Sequence, residues 1–113
     1  MTDKHNTNPQ PPVSLDVEGY LKNMDDWSDE IAYYLAQQEH IQLTEEHWEI
    51  ICLLRAFYSE FAISPAMRIL VKQVRLQLGS DKGSSIHLLK LFPGSPAKIA
   101  SKIAGLPKPT NCL

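Results

Sequence analysis

The 113-residue sequence has few cysteines and no long hydrophobic run. Apolar stretches such as residues 50–54 fall far short of the roughly 20 residues that a membrane-spanning helix needs. The first twelve residues also lack the apolar segment that directs secretion. Cys52 and Cys112 are too few and too far apart for a disulfide framework or a paired zinc motif. We therefore expect a cytoplasmic protein with reduced thiols and without a membrane span, metal or bound cofactor.

The usual catalytic patterns are absent as well. No glycine-rich phosphate loop is present, and no Ser, His and Asp combination can be read from the spacing. His47 precedes Trp48 in the first turn of a predicted helix, where a packed and hydrogen-bonded role is favoured over catalysis. The acidic residues fit helix caps and exposed helix faces, so they do not indicate an active site.

Charge is divided unevenly along the chain. Residues 1–63 carry three basic against twelve acidic residues, a net charge of −9, and residues 64–113 carry eight against one, a net charge of +7. A basic surface in the second half favours an acidic partner.

Hydrophobic spacing predicts a single, mainly α-helical domain. Residues 1–12 are rich in proline and predict a disordered tail. Short alternating runs in residues 13–21 flank a glycine-bearing turn and predict a β-hairpin, the only sheet expected. Asp26 or Ser28 would cap a first helix that ends near His40.

Two longer helices are predicted next, in an arrangement similar to a helix-turn-helix. Thr44 is an N-cap before two carboxylates and a long apolar stripe. Ser64 followed by Pro65 predicts a cap and first position for the second helix, which would end at Gly79.

Three cations lie on one face of that second helix. Arg68, Lys72 and Arg75 follow at positions i, i+4 and i+7. The face has the charge to meet DNA phosphate, but a docking surface for a partner protein is favoured.

A short helix around residues 86–91 and a last helix to about Ala104 complete a domain expected to span residues 13–104.

The chain beyond Gly105 cannot remain helical. Pro107 and Pro109 remove backbone donors and favour an extended form, so residues 105–113 predict a mobile arm. Cys112 lies near the end of this arm.

The two thiols differ in their surroundings. Lys102 and Lys108 are the charges nearest to Cys112 in sequence, and an exposed thiol near positive charge ionises more readily and is a better nucleophile. A stray cysteine without function is the alternative for Cys112. Cys52 flanks the apolar stripe of the central helix and is predicted to be a buried structural thiol.

Residues 101–113, SKIAGLPKPTNCL, resemble the terminal arm of the DsrC/TusE family, which ends in A-G-L-P-K-P and a penultimate cysteine. Further matches follow in the family's order: Glu18–Leu21, Asp26-Trp27, Leu43-Thr44, His47-Trp48, Leu54-Arg55, Tyr58, Pro65, Arg68, Leu91–Pro93 and Pro96. The resemblance covers about residues 13–113. It implies a small orthogonal helical bundle with an N-terminal hairpin and a mobile C-terminal arm.

The resemblance also implies a function. Family members of dissimilatory sulfur metabolism carry a second arm cysteine eleven positions before the penultimate one, where this chain has Ser101. The TusE-like branch is therefore favoured. It implies a sulfurtransferase that relays a persulfide on Cys112 from a TusBCD-type donor to a tRNA 2-thiouridylase, for thiolation of wobble uridine.

Residue type suggests roles for the arm. Gly105 would act as a hinge, Pro107 and Pro109 would limit the arm's conformations, and Lys108 would favour the thiolate or guide docking.

Two other functions remain open. One is a DsrC-like accessory (gamma) subunit of a sulfite reductase. The other is a DNA-binding regulator that uses the helix pair, although direct binding of nucleic acid is disfavoured.

Overall fold

A computed structural model describes residues 11–110, and within that range the chain forms five α-helices and no β-strand. A 3-10 helix, Met24–Asp26, precedes them. The α-helices are α1 Asp29–Gln38, α2 Glu45–Phe61, α3 Met67–Leu78, α4 Ser85–Leu91 and α5 Pro96–Ile103. The predicted mainly helical fold is confirmed. None of these helices is long and apolar enough to cross a membrane.

Hydroxyl side chains cap the N-termini of three of the helices. Ser28 accepts a hydrogen bond from the backbone N–H of Ile31 at the start of α1, so Ser28 rather than Asp26 is the cap. Thr44 caps α2 as predicted, and Ser84 caps α4 in the same way.

The short helix α5 lies at the centre of the bundle. It packs against α1, α2, α3 and α4, most extensively against α1 and α2. Ala97, Ala100 and Ala104 are fully buried, and such small side chains let neighbouring helices approach closely. The rest of the core is mostly aliphatic, and the aromatic residues Tyr20, Phe57 and Phe92 are buried as well.

The predicted N-terminal hairpin is wrong. Leu15 and Leu21 form one isolated bridge, without strands on either side. The Asp16 carboxylate accepts the backbone N–H groups of Glu18 and Tyr20, both at 2.9 Å. A side chain therefore satisfies donors that a partner strand would otherwise use, and the segment closes as a loop.

The predicted start of α3 is also wrong. The helix begins at Met67, and its N-cap Ala66 makes no side-chain hydrogen bond. Ser64 Oγ instead donates to the carbonyl of Pro107 at 2.6 Å, so its hydroxyl holds a distant segment rather than a helix end.

His47 links the start of α2 to the end of α4. Nδ1 accepts from the backbone N–H of Thr44 at 3.0 Å, and Nε2 lies 2.7 Å from the carbonyl of Leu91. A neutral ring protonated on Nε2 satisfies both partners. The ring also meets Phe92 edge-on, at 5.1 Å between centroids. His47 is thus packed and hydrogen-bonded, as predicted.

Replacing His47 tests this link. We expect His47→Ala to lower the free energy of unfolding by about 3 kcal/mol, because it opens a cavity and leaves the buried Leu91 carbonyl without its donor. Thr44→Ala, which removes the cap but keeps the ring, should cost about 1 kcal/mol. Urea unfolding measures both, and equal losses would contradict the link.

Candidate functional site

The candidate site lies where α5 ends and the arm begins. The last carbonyls of an α-helix have no partner within the helix. Here the Ser101 carbonyl accepts from the N–H of Leu106 at 3.0 Å. The carbonyls of Ile103 and Ala104 accept from side chains of other elements. The end of α5 is therefore fixed by tertiary contacts.

Trp27 and Arg55 supply those side-chain donors. Trp27 Nε1 donates to the Ile103 carbonyl at 2.9 Å, and Arg55 Nη1 donates to the Ala104 carbonyl at 2.7 Å. The guanidinium lies 3.8 Å from the centroid of the Trp27 ring, within cation–π range. We call these two residues the arm-root clamp.

Burial changes the electrostatics of the clamp. It lowers the pKa of the Arg55 guanidinium from its ordinary value, and the neighbouring Cys52 partly offsets this. An arginine side chain nevertheless remains protonated in a protein. Arg55 therefore places a positive charge at the negative end of α5, where the helix dipole favours a cation.

Gly105 is buried directly beneath the clamp. A Cβ on Gly105 would lie 2.3 Å from Cδ1 of Trp27, and the residue has φ +76°. Close approach and a left-handed backbone both require glycine here. These two constraints explain why residue 105 is a glycine, and they do not require a hinge. The hinge role of Gly105 stays a prediction.

The arm that was expected to project from Gly105 instead packs against the bundle as far as Pro109. Leu106 is 2% exposed, and Pro109 is buried. The carbonyl of Pro107, between them, accepts from Ser64. Apolar burial and backbone hydrogen bonds thus hold this part of the arm, which proline content alone did not predict.

Ion pairs flank the arm root. Lys108 Nζ lies 3.0 Å from the carboxylate of Glu18, and both side chains are exposed. Lys102 Nζ lies 2.9 Å from the carboxylate of Glu39 in a less exposed pair. Both lysines that sequence placed near Cys112 are thereby engaged with carboxylates.

Cys112, the predicted persulfide site, lies outside the described residues. Cys112 follows Pro109 by three residues. Because an extended chain spans at most about 3.6 Å per residue, the two Cα atoms can be no more than about 11 Å apart. The reach of the thiol is therefore measured from Pro109 rather than from Gly105.

The prediction that Cys52 is buried is wrong, because its side chain is exposed. At 100° per residue, position 52 lies about 200° around α2 from Ile50, whereas Leu54 and Phe57 lie within about 40° of it. Cys52 thus occupies the face opposite the buried stripe. It lines an open cavity together with Trp48.

Ser101 is fully buried in α5. Its hydroxyl has no hydrogen-bond partner among the described residues. A serine side chain cannot form a disulfide with an arm thiol.

The structure brings Arg68, Lys72 and Arg75 together along an open groove of about 760 Å³. Met67 and Val71 give the groove apolar walls. Arg75 also donates to the carbonyl of Gly83 at 3.1 Å. Contact between this face and DNA or a partner stays a prediction.

Comparison with known proteins identifies the family. A family model described as DsrC like protein matches residues 8–113. The chain belongs to the DsrC-like family. The predicted resemblance to the DsrC/TusE family is confirmed, and the match extends through the arm.

Individual members of the family agree in sequence and fold. Sulfurtransferase TusE of Photorhabdus laumondii is 54% identical over 101 residues, which are 89% of this chain and 91% of that protein. The NMR structure of Allochromatium vinosum DsrC matches with a TM-score of 0.82 and 50% identity, over 89% of this chain and 90% of that one. The oxidized gamma-subunit of the dissimilatory sulfite reductase (DsrC) from Archaeoglobus fulgidus matches with a TM-score of 0.78 and 40% identity, over 89% and 92%.

The clamp residues were not predicted as part of the site. Arg55 is the only Lys or Arg between Lys22 and Arg68, and it lies within the mostly apolar helix α2. A cation within an apolar helix needs hydrogen-bond acceptors and an aromatic or carboxylate neighbour. The position of Arg55 in the sequence was therefore the signal from which the clamp could have been predicted.

Gly105→Ala tests the close packing beneath the clamp. We expect it to lower the free energy of unfolding by about 3 kcal/mol, because backbone strain and the clash with Trp27 add. Gly94 also has a positive φ, but its Cβ would meet ordinary contacts, so Gly94→Ala should cost about 1 kcal/mol. Chemical denaturation measures both free energies of unfolding. Equal losses in the two variants would contradict the prediction, because the clash with Trp27 would then cost nothing.

Proposed function

We propose that the protein is a sulfurtransferase of the carrier type, in which Cys112 holds a transferable sulfur as a persulfide. The observation that carries this proposal is the family match through residue 113, which includes Cys112, together with relatives named sulfurtransferase TusE. The anchored arm root supports it, because it keeps the thiol within a short distance of the bundle surface.

The transfer is an exchange at sulfur. The Cys112 thiolate attacks the outer sulfur of a persulfide on the donor protein, and the donor's S–S bond breaks. The donor thiolate leaves, and Cys112 carries the outer sulfur as –S–SH. An acceptor thiolate repeats the exchange and regenerates the Cys112 thiolate. No external oxidant or reductant is needed, because one S–S bond forms for each that breaks.

A carrier of this kind needs no acid/base pair of its own. Each partner protein supplies the remainder of the site when the arm enters it, so presentation of the thiol matters most. The clamp of Trp27 and Arg55 fixes where the arm begins, Pro107 and Pro109 restrict its backbone, and the ion pair of Lys108 with Glu18 lies beside it.

The finer assignment is the tRNA thiolation relay. The donor is a TusBCD-type complex, the acceptor is a tRNA 2-thiouridylase, and the product is thiolated wobble uridine. Ser101 supports this branch, because the chain lacks the second arm thiol that internal disulfide chemistry would require.

Association with a sulfite reductase is the second candidate. Its support is the structural similarity to the gamma-subunit from Archaeoglobus fulgidus. In this case Cys112 would act as a lone thiol. Stable copurification of the wild-type chain with a sulfite reductase, rather than with the thiolation proteins, would favour this candidate.

Intact-mass analysis tests Cys112 directly. After incubation with a cysteine desulfurase relay and cysteine, we expect the wild-type protein to gain one sulfur that a thiol reductant removes. Cys112→Ser should lose this gain at least ten-fold, because the attacking thiolate is gone.

Cys52→Ser is the matched control. Because Cys52 is also exposed, exposure alone does not distinguish the two thiols. This variant should load like the wild type. If Cys112→Ser retained the added sulfur and Cys52→Ser lost it, Cys52 would be the carrier thiol and the proposal for Cys112 would be wrong.

A further inference from the structure

Two cations in the groove on α3 form no ion pair within the part of the chain that the structure describes. Arg68 and Lys72 are exposed, and neither has a carboxylate within ion-pair distance among residues 11–110. The first turn of α3 carries no acidic side chain, and Ala66 offers no side-chain acceptor. An incoming carboxylate would therefore meet positive charge without displacing an internal one. Arg75 differs, because it is already bound to the carbonyl of Gly83.

The groove begins at the turn that holds the arm. Ser64 Oγ donates to the Pro107 carbonyl at 2.6 Å, and Arg68 follows Ser64 by four residues. The Cα atoms of Ser64 and Arg68 are thus no more than about 15 Å apart. Cys112 is five residues beyond Pro107, so its Cα lies within about 18 Å of that proline. A partner protein about 30 Å across, the diameter of a small domain, can therefore contact both the thiol and the groove.

The groove suits an acidic protein segment better than a nucleic acid. Its charged row, from Arg68 to Arg75, is only about 11 Å long, and Met67 and Val71 add apolar walls. Nucleic acids present charge continuously along their backbone, and the chain as a whole is negative, with a net charge of −2. Carboxylates interspersed with apolar side chains match both features of the groove.

We propose that Arg68 and Lys72 form a docking site for an acidic segment of the proteins that exchange sulfur with Cys112. This inference rests on the proposed carrier function. Because donor and acceptor must reach one thiol on a short tether, both dock at this site, one at a time.

Charge reversal separates docking from sulfur chemistry. The combined variant Arg68→Glu and Lys72→Glu should accept sulfur from glutathione persulfide at the wild-type rate. The kcat/KM for sulfur transfer from the donor protein to this variant should fall at least ten-fold, through a higher KM rather than a lower kcat. The control variant Lys22→Glu and Lys90→Glu, also exposed, makes the same change in net charge and should transfer normally.

Each result has a separate meaning. If wild-type protein is not loaded by glutathione persulfide or by the donor, the carrier function itself fails. If it is loaded but the two charge variants transfer alike, the docking site is wrong. Competition by a single-stranded RNA 20-mer that depends on Arg68 and Lys72 would also overturn the assignment to an acidic protein segment.

Competition tests the shared surface. The acceptor protein should displace the donor protein from wild-type carrier in fluorescence anisotropy. A stable complex that contains donor, carrier and acceptor together would contradict docking one at a time.

Discussion

Two side chains that donate hydrogen bonds to the end of α5 determine where the arm begins. Trp27 and Arg55 bind the last carbonyls of the helix and stack on one another. Each contact supports the other, because the ring orients the guanidinium and the guanidinium covers the ring. Gly105 allows the chain to pass directly beneath them. Without this clamp, the helix end would leave buried carbonyls unsatisfied, and the arm would have no fixed starting direction.

This constraint shapes the proposed chemistry. A tether of seven residues from Gly105 would let Cys112 explore a radius of about 25 Å, whereas three residues from Pro109 allow about 11 Å. A short tether confines the thiol near one surface and raises its effective concentration for a partner docked there. Sulfur transfer then depends as much on which protein occupies that surface as on the reactivity of the thiol.

Local patterns predicted much of the fold. The hydroxyl caps Ser28 and Thr44 and the stop at Gly79 were readable because each depends on residues a few positions apart. The position of Ser64 was not readable, because its hydroxyl binds a carbonyl 43 residues away. Cys52 was misplaced because it lies beside buried neighbours in sequence but on the opposite side of the helix.

The candidate site, like the fold, was predicted from the sequence only in part. Cys112 was predicted from its sequence motif, whereas the clamp joins segments that lie far apart in sequence. The most direct test of an anchored arm root is native-state hydrogen exchange at the Leu106 amide, which donates to the Ser101 carbonyl. We expect protection similar to that of the Ala104 amide within the helix end. Exchange of Leu106 at the rate of an unstructured chain, while Ala104 stays protected, would contradict the account.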